Sequence, residues 1–271
     1  QPTGQLASMW LNRFVSQGAV QGRSVGLLFM LMNSPVLAER ATLLVDISDG
    51  RVIPAEKILR PSYPASLTKL ITLYLLFEAL QSGNLAIDSK LPISAEAAAQ
   101  PAVKLGLKVG GQISVADAIN AIIVRSADDV AVVVGEAVGG SHPKFVDMMN
   151  AKVMQLGMTG TTFRNANGLP HSEQITTARD MVILAKALFD GFPDDYQRFS
   201  TVGFKFNGRQ INTHNNFLLS FAGAQGLKTG FTCKAGFNLV ATACRYSSKS
   251  KGGRGCRSGR TRDELRFDLD V

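Results

Sequence analysis

Two β-rich runs flank Asp49-Gly50 in ATLLVDISDGRVI (residues 41–53), a pattern that predicts a β-hairpin. Pro61 and Pro64 then keep residues 58–65 in extended chain. Ser66 to Gln81 is strongly apolar and stops at Gly83-Asn84, which predicts one long buried helix. ISAEAAAQPAVKLGLKVGGQ (residues 93–112) is broken by proline and glycine and reads mostly as loop. Ser114 and Asp117 form a capping-box-like start to the apolar helix VADAINAIIV, which is interrupted at Arg125-Ser126. DDVAVVVGEAV continues as a second helix to Gly139-Gly140, and residues 143–156 make an amphipathic third. After the turn cluster NANGLP (165–170), Thr177 and Asp180 open another helix, MVILAKALF. The pattern then becomes β: STVGFKFNGRQI (200–211) around an Asn-Gly turn, GLKTGFT (226–232) and GFNLVATA (236–243). Hairpin, helices, then strands is an α+β order, an antiparallel sheet flanked by helices.

The ends of the chain read differently from residues 39–243. Residues 1–38 carry Arg13 and Arg23, then the apolar run VGLLFMLM, then Val36 and Ala38 at the spacing of a cleavage site. That is the plan of a secretory leader, too short an apolar run to span a bilayer comfortably. Residues 244–271 are rich in Gly, Ser, Arg and Lys, and the reading predicts a disordered polar tail.

Charge and cysteine count exclude several function classes. The formal charge of +8 suggests an anionic partner, but half of it lies beyond Cys244 and the body is nearly balanced. No basic stripe interleaved with aromatics is present, so no nucleic-acid partner is expected. Cys233, Cys244 and Cys256 form no CxxC pair, and His142, His171 and His214 are scattered. No metal and no cofactor are expected.

Candidate chemistry begins with Ser66 and Lys69, three apart at the start of the buried helix, where both side chains share a face. A lysine acts as base only when neutral, and burial or a second cation lowers its pKa. The same spacing occurs at Ser141–Lys144 and Ser248–Lys251, but neither opens an apolar helix. The alternative for Ser66 and Lys69 is a serine near the helix cap and a lysine snorkelling off a core helix. Lys228-Thr229-Gly230 on a predicted strand offers a cation and a hydroxyl for a carboxylate, beside a glycine that admits close approach; the alternative is a solvated lysine on a strand. Ser126-Ala127-Asp128 lies between two helices, where a hydroxyl could relay a proton; the alternative is Ser126 or Asp128 as a helix cap.

Ser66-x-x-Lys69, Ser126-x-Asp128 and Lys228-Thr-Gly, in that order, resemble the penicillin-binding protein and serine β-lactamase superfamily, and their spacing resembles the low-molecular-mass D-alanyl-D-alanine carboxypeptidases. The words YPASLTK, TLYLLFEAL, AAAQPAVKLGLKVG, FRNANGLP, TTARDM and GLKTGFT carry the same resemblance over about residues 41–243. It implies a β-lactamase/transpeptidase-like catalytic domain at 39–243; the leader at 1–38 predicts a location outside the cytoplasmic membrane, in the periplasm or on the membrane's outer face, with peripheral membrane association left open. It implies Ser66 as nucleophile, Lys69 as base and Ser126 as proton shuttle. Lys228 and Thr229 would hold a substrate carboxylate beside Gly230, and the N–H groups of Ser66 and Phe231 would form an oxyanion hole. The implied partners are peptidoglycan stem peptides ending in D-Ala-D-Ala, and β-lactams as mimics.

Two departures accompany the resemblance. Asp128 stands where the family pattern has Asn; an ionised Asp only accepts hydrogen bonds, and its charge raises the pKa of Lys69, so slower acylation is expected. The further apolar strand expected after the last two is not legible beyond Ala243, so the C-terminal strand is expected to be missing. A degenerate peptidoglycan-binding homologue and a serine β-lactamase, with Glu136 or Glu173 as the deacylating base, are the competing readings.

Overall fold

The computed structural model describes residues 41–47, 50–101, 103–245 and 262–269. The strands are β1 (Ala41–Asp46), β2 (Val52–Glu56), β3 (Lys90–Pro92), β4 (Gln112–Ser114), β5 (Gly203–Phe206), β6 (Arg209–Asn212), β7 (Ala224–Thr232), β8 (Gly236–Arg245) and β9 (Arg262–Leu269). The α-helices are α1 (Lys69–Gln81), α2 (Ala95–Ala98), α3 (Val115–Asn120), α4 (Asp128–Gly139), α5 (His142–Gln155), α6 (Ala178–Gly191), α7 (Pro193–Tyr196) and α8 (Asn216–Ser220). A five-stranded antiparallel sheet runs in the order β2-β1-β9-β8-β7, and β3-β4 and β5-β6 form two small ladders. The α+β order is the one the hydrophobic pattern predicts.

The tail departs from expectation. Arg262–Leu269 is a strand, inserted between β1 and β8 and antiparallel to both. The sheet therefore has its further strand, and the last part of the expected disordered tail is ordered. Leu265, Phe267 and Leu269 alternate in sequence with Glu264, Arg266 and Asp268, a period-2 pattern that suits a strand. The charges between the apolar residues, and the Gly/Arg/Ser-rich run before them, hide that period in the composition. The expected leader at 1–38 and the part of the expected tail at 246–261 lie outside the described residues.

Helices α1 and α4 pass through the core. Leu70, Ile71, Leu73, Leu76 and Phe77 of α1 are buried, as is every residue of α4 from Asp128 to Gly135. A helix apolar all round has to be covered on all sides. Here α1 packs on α4 and α6, and α6 lies against β1 and β9. Phe77 meets Phe192 and Phe199 at centroid separations of 5.6 and 6.3 Å, closing the far end of this core.

Local sequence sets the helix ends. Ser114 accepts from the Asp117 N–H at 3.1 Å and donates to the Asp117 carboxylate at 2.6 Å. Thr177 accepts from the Asp180 N–H at 3.1 Å. The Ser141–Lys144 match to Ser-x-x-Lys is such a cap too, Ser141 Oγ accepting from the Lys144 N–H at the start of α5. The predicted loop at 93–112 contains the short helix α2 and joins the β3-β4 ladder.

Candidate active site

Ser66 lies in a 3-10 turn, Ala65–Thr68, that feeds directly into α1. Ala65 is held at φ +47°, a left-handed conformation that is costly for a residue with a Cβ. This turn aims Ser66 at Lys69, the first residue of α1, whose side chain is fully buried. Lys69 Nζ donates to Ser66 Oγ at 3.1 Å, to Asp128 Oδ1 at 2.6 Å and to the Asn167 carbonyl. Three acceptors satisfy all three protons of an ammonium. In the amine form one contact reverses, and Ser66 O–H becomes the donor to Nζ. Lys69 is thus no snorkelling surface lysine.

Ser126 and Asp128 come from the break between two helices. After α3 the chain winds as a π-helical turn, Ala121–Arg125, and Ser126 ends it at φ +59°, ψ +34°. π-turns and left-handed non-glycine residues both cost energy and concentrate at functional sites. Ala127 is the N-cap of α4 and makes no side-chain capping bond, so neither Ser126 nor Asp128 caps that helix. Ser126 Oγ is buried with no hydrogen-bond partner. An unpaired buried hydroxyl is unfavourable unless something else meets it. Asp128 is buried and spends Oδ1 on Lys69.

β7 closes the other side. Lys228 is buried, and Nζ donates to the Thr229 carbonyl at 2.7 Å. Thr229 is half-buried, and Phe231 is exposed against Phe237 with ring centroids 4.4 Å apart. Gly230 is where the strand meets the serine: a Cβ there would lie 3.1 Å from Ser66 N and 3.2 Å from the Pro64 carbonyl. Asn238 on β8 donates to the Tyr63 carbonyl at 2.9 Å, tying the sheet to the segment before Ser66. All eight predicted residues, from Ser66 to Phe231, lie on the turn before α1, on α1, around the start of α4 and on β7; α1 packs on α4, and β7 packs on the turn before α1.

Burial governs the electrostatics. It pulls Lys69 below the ordinary lysine value, with Asp128 pulling the other way and losing. The expected effect of Asp128 on Lys69 is therefore present, but burial outweighs it. Burial likewise pushes the Asp128 carboxyl up, against the opposing charge of Lys69. Lys228 is pushed down to about 7 by burial and then by repulsion from Lys69.

Sequence reasoning passed over three supporting residues. Asn167 supplies the third acceptor for Lys69 from within the NANGLP turn. That turn is held by Thr72 donating to the Ala166 carbonyl at 2.7 Å and by the Ala166 N–H donating to His142 at 3.2 Å. Gly168 in the same turn has φ +85°, and a Cβ there would lie 2.0 Å from the Ala65 carbonyl. Asp129 accepts from the N–H groups of Leu105, Gly106 and Leu107, holding the 105–107 loop onto α4. The turn cluster signalled only a turn; which carbonyl points at Lys69 is a tertiary fact.

A serine bonded to a buried lysine, beside a lysine-bearing strand, is the layout of a serine–lysine acyl-transfer site on a helix-and-antiparallel-sheet fold. The chain belongs to the peptidase S11 family, D-alanyl-D-alanine carboxypeptidase, whose family model matches residues 30–250. It is 35% identical over 219 residues to the D-alanyl-D-alanine carboxypeptidase DacC of Escherichia coli, covering 78% of this chain and 55% of the relative. DacA of the same organism is 33% identical over 236 residues, covering 83% of this chain and 59% of the relative. The chain spans a little over half the length of these curated relatives. Among solved structures, penicillin binding protein 5 from Haemophilus influenzae superposes with a TM-score of 0.77 at 30% identity, over 88% of this chain and 66% of that one. Penicillin-Binding Protein D2 from Listeria monocytogenes, in its ampicillin-bound form, superposes with a TM-score of 0.71 at 28% identity, over 85% and 88% of the two chains.

Proposed function

We propose that this chain is a serine-type D,D-carboxypeptidase that removes the terminal D-alanine from peptidoglycan stem peptides. The observation that carries the reading is the fully buried Lys69 Nζ at 3.1 Å from Ser66 Oγ. Ser66 Oγ attacks the carbonyl of the penultimate D-alanine while its proton passes to the amine form of Lys69. The N–H groups of Ser66 and Phe231 receive the oxyanion. The C–N bond breaks, and the proton reaches the departing D-alanine amine through Ser126, whose unpaired buried hydroxyl suits a relay. Water then cleaves the Ser66 ester, its proton returning by the same route. Lys228 and Thr229 hold the terminal carboxylate, and Asp128 and Gly230 line the peptide path. β-Lactams acylate Ser66 as mimics of the substrate, in keeping with the ampicillin-bound relative. The substrate would put the protein outside the cytoplasmic membrane, with residues 1–38 as its leader and peripheral membrane association left open; no helix among the described residues is long and apolar enough to cross a membrane.

Intact mass after incubation with benzylpenicillin, with Ser66→Ala alongside, tests the nucleophile. The expected result is an adduct on the parent and none on the variant, with D-alanine released from a D-Ala-D-Ala peptide. Folded parent protein that takes up no penicillin overturns the reading. It would favour a non-catalytic peptidoglycan-binding homologue, which the Asp128 contact supports because it favours the ammonium form of Lys69. A β-lactamase reading has less support: Glu136 is engaged by Ser94 at 2.7 Å and Glu173 by Arg164 at 3.4 Å.

A further inference from the structure

Beside Ser66, on the side away from Lys228, lies a small recess open to solvent. Its walls include Tyr63, Ala65, Gly168, His171, Ser172 and Lys234. We infer that this recess is an upstream subsite that receives a carboxylate-bearing side chain on the residue preceding D-Ala-D-Ala, with Lys234 as its cation. The inference rests on the carboxypeptidase reading and adds a substrate preference to it.

The order of residues along β7 supplies the direction. Lys228 and Thr229 stand mid-strand, Gly230 next to them abuts Ser66, and Thr232 ends the strand and leads into the turn that carries Lys234. A peptide with its terminal carboxylate at Lys228 and its scissile carbonyl at Ser66 must run on toward Thr232. At roughly 3.3 Å per residue, Thr232 lies about 7 Å beyond Gly230, the reach of two extended residues. The recess is therefore where the residue just upstream of the two alanines projects.

The lining sets the charge of the guest. The turn holding Lys234 is fixed by the Ala235 N–H, which donates to both the carbonyl and the hydroxyl of Thr232, each at 3.1 Å. His171 Nδ1 accepts from the Glu173 N–H at 3.2 Å, which leaves Nε2 as the hydrogen-bearing nitrogen. Glu173, the acidic residue of that segment, is paired with Arg164 at 3.4 Å and is not among the lining residues. With Tyr63 and Ser172 adding hydroxyls, the recess offers a cation and several donors but no carboxylate. That inventory matches an anion.

The test compares two peptides, N-acetyl-X-D-Ala-D-Ala, with X either diaminopimelate or lysine, so that the upstream carboxylate is the variable. The parent should show about tenfold higher kcat/KM for the diaminopimelate peptide, of the order of one charge-assisted contact. Lys234→Glu should bring the ratio to one or below, and Lys234→Arg should keep it. Binding of both peptides to the Ser66→Ala protein reads the subsite without turnover and should show the same preference in Kd. Equal Kd values there, or a preference that survives Lys234→Glu, overturn the inference. Absence of a penicillin adduct on the parent overturns the carboxypeptidase reading instead, and the Kd comparison still decides the subsite.

Discussion

In the proposed mechanism Lys69 has to be a free amine at the moment Ser66 loses its proton, and Asp128 at 2.6 Å works against that. Burial has already moved the lysine down; the carboxylate pulls it back up. Asp128→Asn removes the opposing charge and supplies an amide donor. Acylation by a chromogenic penicillin should then speed up at neutral pH, and the acid limb of its pH profile should move to lower pH, about tenfold in rate for each pKa unit regained. An unchanged profile would mean that Asp128 does not control the base. Lys228 gives a prediction about stability. Its folded value, about 7, is below the ordinary value of 10.5, so the unfolded chain binds more protons between those limits. The cost of burying it is complete below pH 7 and fades as pH rises toward 10.5. Lys228→Met should therefore stabilise the fold in urea titrations, more at pH 6 than at pH 9. It should also weaken binding of D-Ala-D-Ala peptides.

At the scale of elements, much of the local structure was legible because it is set by neighbours in sequence. Ser114 with Asp117 and Thr177 with Asp180 act as caps in the positions their spacing predicts. The β5-β6 hairpin turns at Asn207-Gly208, both at positive φ, as an Asn-Gly pair between β-rich runs predicts. The region around Ser126 was less legible. Its break was visible, but neither Ser126 nor Asp128 caps α4, because Ser126 ends the π-helical turn in a left-handed conformation and Asp128 turns to Lys69. The 93–112 segment reads as loop from its prolines and glycines. It is held in place by Asp129, whose acceptors serve backbone far away in sequence, and no local pattern marks that. Asp129→Ala would leave the N–H groups of Leu105, Gly106 and Leu107 without their acceptor. It should cost on the order of 3 kcal/mol in urea unfolding, the scale of a broken buried charge network, and speed proteolysis within residues 100–112. A loss below about 1 kcal/mol would show that the loop is held by other contacts.

Across the whole molecule, β9 joins the β1-β2 hairpin at the start of the described chain to the β7-β8 hairpin that carries the Lys228 motif. Removing it would leave two unpaired edges where a continuous ladder now runs. A chain ending at Arg245 should melt more than about 10 °C lower than the 271-residue chain and should aggregate on warming. Equal melting temperatures would mean that the tail adds nothing. The amino-acid sequence by itself determined the α+β order, the caps, the hairpin turns and the candidate set from Ser66 to Phe231, because each rests on short-range periodicity or on motif order. Tertiary structure alone decided which groups meet. Lys69 takes its acceptors from residues 3, 59 and 98 positions away. Gly230 matters because β7 passes against Ser66. The residues of β9 become a strand because β1 and β8 offer edges on either side. Burial, and the pKa shifts it imposes on Lys69, Asp128 and Lys228, exists only after those long-range contacts have excluded water, and no local spacing along the chain can report it.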